Sequence, residues 1–267
     1  MASRIAEMFG RLSGRNERAL IAYVMAGYPD YNSSMAAVRG LVRGGADLIE
    51  LGFPFTDPLA DGPVIQDAAT ASLGAGMSME SYHSMVRDIR GYADTPVVMM
   101  TYANIAYSMG YGRFASESAR AGVDGFILPD MPVEESGDYT REAHRCGADT
   151  IFLVSPNTPA RRIAHIAAAS TGFLYMVAVY GTTGARGGVG VHTMESLRRT
   201  KEAAGDLPVG VGFGVAGPED VKRYAEAGAD GIIVGSAILR VVGESPRDDI
   251  ESRVAEFTSS LKAQTIM

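Results

Sequence analysis

The chain has 267 residues, 46% of them hydrophobic and 21% charged, which supports a large buried core and excludes a disordered or fibrous chain. Lys+Arg 24 against Asp+Glu 31 leaves a formal charge of −7 with no basic run, so neither nucleic acid nor anionic membrane is an expected partner. The single cysteine, Cys146, excludes an internal disulfide and a multi-cysteine metal site.

In chain order, Ile5, Met8, Phe9 and Leu12 come first, spaced i, i+3, i+4, i+7. They form one stripe of an amphipathic helix, expected to lie as a lid on an apolar surface. The same stretch has no continuous apolar segment and does not read as a secretory signal, so a cytoplasmic protein is expected. Nowhere does an apolar run approach the roughly 20 residues that span a bilayer. A run at 19–25 predicts the first strand, and seven more follow at 48–49, 96–100, 125–128, 151–154, 173–179, 208–211 and 232–234. Helical stretches between them are predicted at 33–43, 79–90, 113–121, 134–145, 159–169, 194–204 and 218–227, with a last one in 248–261.

A short pattern punctuates the order: Gly45-Ala46-Asp47, Gly122-Val123-Asp124, Gly147-Ala148-Asp149 and Gly228-Ala229-Asp230. Each follows a helical segment and precedes an apolar run. The glycine suits the left-handed residue that ends a helix, and the non-alternating run after it suits a strand covered on both faces. Eight alternating strand–helix units with no linker or composition break predict a single (β/α)8 TIM barrel over residues 1–267, with an extra N-terminal helix. A doubly wound open sheet is the rival. The count and the even spacing, apart from a long insertion after the second strand, favour the barrel.

Chemistry in such barrels sits on the loops after the strands' carboxyl ends. Glu50 is read as ending the second strand, where burial would raise its pKa and suit it to proton transfer near neutral pH. Position alone leaves open a catalytic acid or a structural carboxylate paired with an N–H or an Arg. Asp57 and Asp61 follow in a Pro- and Gly-rich loop and read first as turn residues. Tyr102, in Thr101-Tyr102-Ala103-Asn104, reads as packing, and Asp130 as loop structure. The segment 181–190 carries Gly181, Gly184, Gly187, Gly188 and Gly190 and is expected to be a mobile lid. Gly212-Phe213-Gly214 and Gly235-Ser236 follow the last two strands; with Gly184 they predict a phosphate cradle of backbone N–H groups. The lysines, Lys201, Lys222 and Lys262, fall in predicted helices or at the end of one, which argues against a Schiff-base aldolase. No histidine ends a strand, so no His-based metal site is expected. Carboxylates, aromatic surfaces and a phosphate cradle together suit cofactor-free acid–base chemistry on an aromatic phosphate ester.

The segment Glu50-Leu51-Gly52-Phe53-Pro54-Phe55-Thr56-Asp57-Pro58-Leu59-Ala60-Asp61-Gly62-Pro63 resembles the signature loop of the tryptophan synthase alpha subunit family. Agreement extends along nearly the whole chain, through 25–30, 102–104, 130–136, 155–157, 183–186, 212–214 and 235–236. The resemblance implies a carbon–carbon lyase that cleaves indole-3-glycerol phosphate to indole and glyceraldehyde 3-phosphate in tryptophan biosynthesis. It implies Glu50 as general acid/base and Asp61 as the partner of the indole N–H. Thr183 would reach Asp61 on loop closure, and Gly184, Gly214, Gly235 and Ser236 would hold the phosphate. Tyr23, Met100, Tyr102, Ile127, Tyr175 and Phe213 would line the indole pocket. It places Asp57 in the loop that meets a beta subunit in an alpha2-beta2 complex, and pyridoxal phosphate in that partner, with no cofactor in this chain. A free-standing lyase, or a barrel acting mainly as an allosteric activator of the beta subunit, are the alternatives.

Overall fold

The computed structural model of the chain describes residues 2–178, 191–212 and 214–267, without the side chains of 191 and 192. Strands form at the predicted apolar runs: β1 (Ala19–Met25), β2 (Leu48–Gly52), β3 (Val97–Met100), β4 (Gly125–Ile127), β5 (Asp149–Ile151), β6 (Leu153–Val154), β7 (Leu174–Val177), β8 (Val209–Gly212) and β9 (Gly231–Val234). All neighbours are parallel, in the order β5-β4-β3-β2-β1-β9-β8-β7-β6. Only Phe152 separates β5 from β6 along the chain, although they end opposite sides of that order. The first half of the run pairs with β4, through Ile127↔Ile151, and the second half with β7, through Leu153↔Tyr175. The Tyr175 N–H donates to the Phe152 carbonyl between them at 3.0 Å. This fifth run closes the sheet into a TIM barrel, and the expected eight strands are recovered with one of them split.

Two apolar layers result, as a sheet covered on both faces requires. One lies between strands and helices. The other fills the cylinder, with Ile21, Leu48, Val98, Ile151, Phe173 and Ile233 among its side chains. The N-terminal helix Arg4–Ser13 inserts Ile5, Met8, Phe9 and Leu12 into this inner layer, and the Phe9 ring meets Phe173 at a centroid distance of 5.8 Å. The expected lid therefore seals the cylinder's lower end. Each of those side chains contributes about 1.5–3 kcal/mol by leaving water.

The Gly-x-Asp pattern has a second half that the glycines alone do not explain. Gly45, Gly122, Gly147 and Gly228 do adopt positive φ, between 74° and 113°. The aspartates then tie neighbouring strands together at their starting ends. Asp47 accepts the Leu20 N–H, Asp124 the Val97 N–H and Asp230 the Val209 N–H, each at 2.8 Å. Asp149 departs from this pattern, with one buried oxygen left without a partner. Lys262 pairs with Asp47 at 2.8 Å and Lys201 with Asp230 at 2.6 Å, so two of the three lysines serve the pole opposite the reactive rim.

Three helices were not foreseen: Pro63–Gly74, Ala103–Met109 and Ser236–Glu244. The first lies within the insertion after β2; its apolar face is too diffuse to show a 3.6-residue period, and Pro63 at its first turn is the remaining signal. Among the described residues no helix is long and apolar enough to cross a membrane.

Candidate active site

The upper rim gathers residues from five strands and two of the unforeseen helices around one cavity. Its walls include Tyr23 from β1, Glu50 from β2, Met100 from β3, Tyr175 from β7, and Gly214, Gly235 and Ser236 from the last two turns. Asp61, Pro63, Val64 and Ile65 close one side, and Val215, Ile233 and Arg240 complete the other.

Glu50 is the middle residue of β2 and not its last, because pairing continues through Gly52, opposite Met25 and Met100. The glycine that hid this continuation has a steric reason. A Cβ at Gly52 would collide with the Tyr23 hydroxyl, and one at Gly212 with the Tyr175 hydroxyl. Two strand-end glycines thus make room for two tyrosines that reach the rim from inside the cylinder. Packing gives no such reason at Gly235, where a Cβ would meet Tyr23 only at an ordinary 3.4 Å.

The Glu50 side chain is 1% exposed, and its Oε2 has no hydrogen-bond partner among the described residues. No Arg or N–H neutralises that oxygen, unlike the structural carboxylates at the lower pole. Burial, with the nearby Asp61 charge adding to it, raises the Glu50 carboxyl to about 8.

Asp61 is placed by the turn before helix Pro63–Gly74. Its N–H donates to the Pro58 carbonyl at 3.1 Å, and Gln66 Nε2 donates to its carbonyl at 2.9 Å. The Tyr102 hydroxyl donates to Asp61 Oδ2 at 3.0 Å, while Oδ1 is buried without a partner. Burial raises this carboxyl to about 6, against the lowering effect of Tyr102. Asp61 therefore does more than shape a turn: it lines the cavity with one oxygen held by Tyr102 and the other buried without a partner.

Tyr102 stands behind Asp61, off the cavity wall, stacked on Phe55 with centroids 5.1 Å apart. Ile127 is fully buried in the inner layer below the cavity. Asp130 accepts the Ala103 N–H at 2.8 Å, the loop-structural part expected of it. Asp57 and Leu59 project from the Asp61 loop into solvent, Leu59 at 93% exposure. Thr183, Gly184 and Phe213 lie outside the described residues.

At the far side, helix Ser236–Glu244 begins against the cavity with Gly235 as its N-cap. Its first N–H groups have no intrahelical acceptor, and its dipole favours an anion there. Gly214, at φ 74°, supplies a second bare turn beside it. Nothing in the local sequence marks Val64, Ile65, Val215 or Ile233 as cavity residues. The only available clue was for Arg240, four residues and one helical turn after Ser236.

The arrangement combines a protonated carboxyl, an ionised one, an apolar slot and an anion-favouring helix start. A family model described as tryptophan synthase alpha chain matches residues 9–266. The chain is 43% identical to the tryptophan synthase alpha chain of Methanosarcina mazei over 260 residues, covering 97% of this chain and 93% of that one. It is likewise 43% identical to that of Methanothermobacter thermautotrophicus, covering 97% and 95%. Among solved structures, a Mycobacterium tuberculosis tryptophan synthase chain superposes with a TM-score of 0.90 at 36% identity, covering all of both chains. A chain of the Pyrococcus furiosus tryptophan synthase complex gives 0.84 at 35% identity, covering 92% of this chain and 98% of that one.

Proposed function

The chain belongs to the tryptophan synthase alpha chain family, a family of lyases, and from that premise we propose that it cleaves indole-3-glycerol phosphate to indole and glyceraldehyde 3-phosphate. The observation that carries this reading is the pair of carboxyls in one cavity, Glu50 raised to about 8 and Asp61 to about 6. Between those values Glu50 holds a proton while Asp61 is ionised, the two states that the bond cleavage needs.

Glu50 gives its proton to the indole ring carbon that bears the glycerol chain, and the ring becomes a cation with an N–H. The Asp61 carboxylate faces that N–H and stabilises the developing charge, a preorganised electrostatic contact in a water-poor site. Glu50, now a carboxylate, takes the proton of the hydroxyl next to the breaking bond. That oxygen forms the aldehyde carbonyl, the carbon–carbon bond breaks, and its electron pair returns to the ring. One proton has moved from oxygen to carbon, and Glu50 is protonated again. Tyr23, Met100 and Tyr175 flank the ring with Ile127 beneath, and Gly214, Gly235 and Ser236 hold the phosphate; the family resemblance assigns Thr183, Gly184 and Phe213 to substrate binding as well. No cofactor enters this chain's chemistry.

Asp57 and the exposed Leu59 project beside Asp61, which suits a surface that meets a beta subunit and reports on the site. A Pyrococcus furiosus relative at 37% identity is described as part of an a2b2 complex, which supports the same partner here. Pyridoxal phosphate would then belong to the beta subunit. The activity is assigned to one cytoplasmic barrel domain spanning residues 1–267.

The test is release of indole from indole-3-glycerol phosphate by the purified chain, alone and with the beta subunit. Wild type should release it, and Glu50→Gln should lose at least about a thousandfold in kcat while still binding glycerol 3-phosphate, a loss near the upper range for a general acid/base. Near-normal turnover by Glu50→Gln overturns the acid/base assignment, and no indole from wild type overturns the reaction.

A further inference from the structure

The geometry points to Arg240 as the side chain that recognises the phosphate dianion of the substrate and makes the site specific for a phosphorylated ester, an inference that rests on the function proposed above. The backbone cradle is electrically neutral, and two carboxyls, Glu50 and Asp61, line the same cavity. An incoming dianion therefore needs a compensating cation. Among the described lining residues Arg240 is the only basic one.

Its placement on the helix is suited to that role. Arg240 follows Ser236 by four residues on helix Ser236–Glu244, so the two share a face. Helical side chains lean toward the helix N-terminus, which directs the Arg240 guanidinium back over the turn that carries Gly235 and Ser236. The residue is exposed, and among the described residues it makes no hydrogen bond or ion pair, not even with Glu244 one turn further on. Several other arginines of the chain are engaged, among them Arg90 with Asp124, Arg39 and Arg43 with Glu251, and Arg162 with Glu134; what sets Arg240 apart is that it lines the cavity. An unengaged guanidinium at the edge of an anion-favouring helix start can form the two-pronged contact that planar guanidinium makes with phosphate oxygens.

The experiment compares wild type, Arg240→Gln and Arg240→Lys in steady-state cleavage of indole-3-glycerol phosphate and in inhibition by glycerol 3-phosphate. Removing one charge-assisted contact at a half-open site should raise both KM and the inhibition constant about tenfold in Arg240→Gln, with kcat within about twofold. Arg240→Lys should recover most of the loss, and added salt should narrow the gap between wild type and Arg240→Gln. Equal KM and inhibition constants in wild type and Arg240→Gln at low salt overturn the assignment and leave the proposed reaction standing. So does a fall in kcat with KM unchanged, which would mark a structural role. Failure of wild type itself to bind glycerol 3-phosphate or release indole brings down the functional reading and this inference together.

Discussion

The Tyr102 hydroxyl donates to Asp61 Oδ2 at 3.0 Å while accepting the Ala60 N–H at 3.0 Å, so one phenol fixes both the backbone and the side chain of the loop that carries the second carboxyl. Stacking on Phe55 holds the phenol in turn. Asp61 thus enters the cavity with one oxygen already committed and one available.

Tyr102→Phe removes this hold but keeps the ring. The hydrogen bond lowers the Asp61 pKa, so its loss should raise that pKa above about 6 and move the acid limb of kcat/KM upward. Turnover at neutral pH should fall about tenfold, on the scale of one hydrogen bond to a charged group. An unmoved acid limb in the pH–rate profile would remove Tyr102 from the positioning of Asp61.

The profile of the wild-type enzyme itself should be bell-shaped. Activity needs Asp61 ionised, which fails below about 6, and Glu50 protonated, which fails above about 8. Measured kcat/KM across that span checks both limbs. A profile that keeps rising beyond the upper value contradicts a protonated resting Glu50.

Stability should carry the same signature. The folded-state pKa of Glu50 is raised, so its contribution is full below about 4.5, declines as pH rises, and is lost above about 8. Glu50→Gln has no charge to desolvate. Its melting temperature should therefore exceed that of wild type at pH 9, by an amount equivalent to ~1–4 kcal/mol, with the gap closing toward pH 4. A constant gap between those pH values contradicts the desolvated carboxyl.

Two glycines should respond in opposite ways. Gly212→Ala drives a Cβ into the Tyr175 hydroxyl and should cost about 1–3 kcal/mol in chemical denaturation, with a weaker indole slot. Gly235→Asp meets only ordinary packing against Tyr23 and should leave stability within about 0.5 kcal/mol while raising KM, because charge and bulk enter the cradle. Equal stability losses in the two variants would show that both glycines answer to packing alone.

Most of the barrel was legible because its signals are local. Gly45, Gly122, Gly147 and Gly228 need left-handed backbone where they stand, and each apolar run tolerates burial on both faces only as a central strand. The amphipathic stripe from Ile5 to Leu12 likewise announces a face without naming its partner, Phe173. The loop motif that links Glu50 to Asp61 was legible through its resemblance to a family, whereas their shared cavity was a matter of folding.

What the tertiary structure alone decided depends on groups far apart in the chain. Gly52 looks like a break that stops the strand at Glu50 until Tyr23, on the neighbouring strand, occupies the space of its missing side chain. Asp61 looks like a turn residue until Tyr102, 41 positions away, binds one of its oxygens. Arg240 looks like one more surface cation until its helix begins against the cavity of Glu50. Local backbone preference determines which elements form. Burial, collision and the pairing of charges are properties of the closed cylinder, and they decide which acid keeps its proton and which side chain stays free for a ligand.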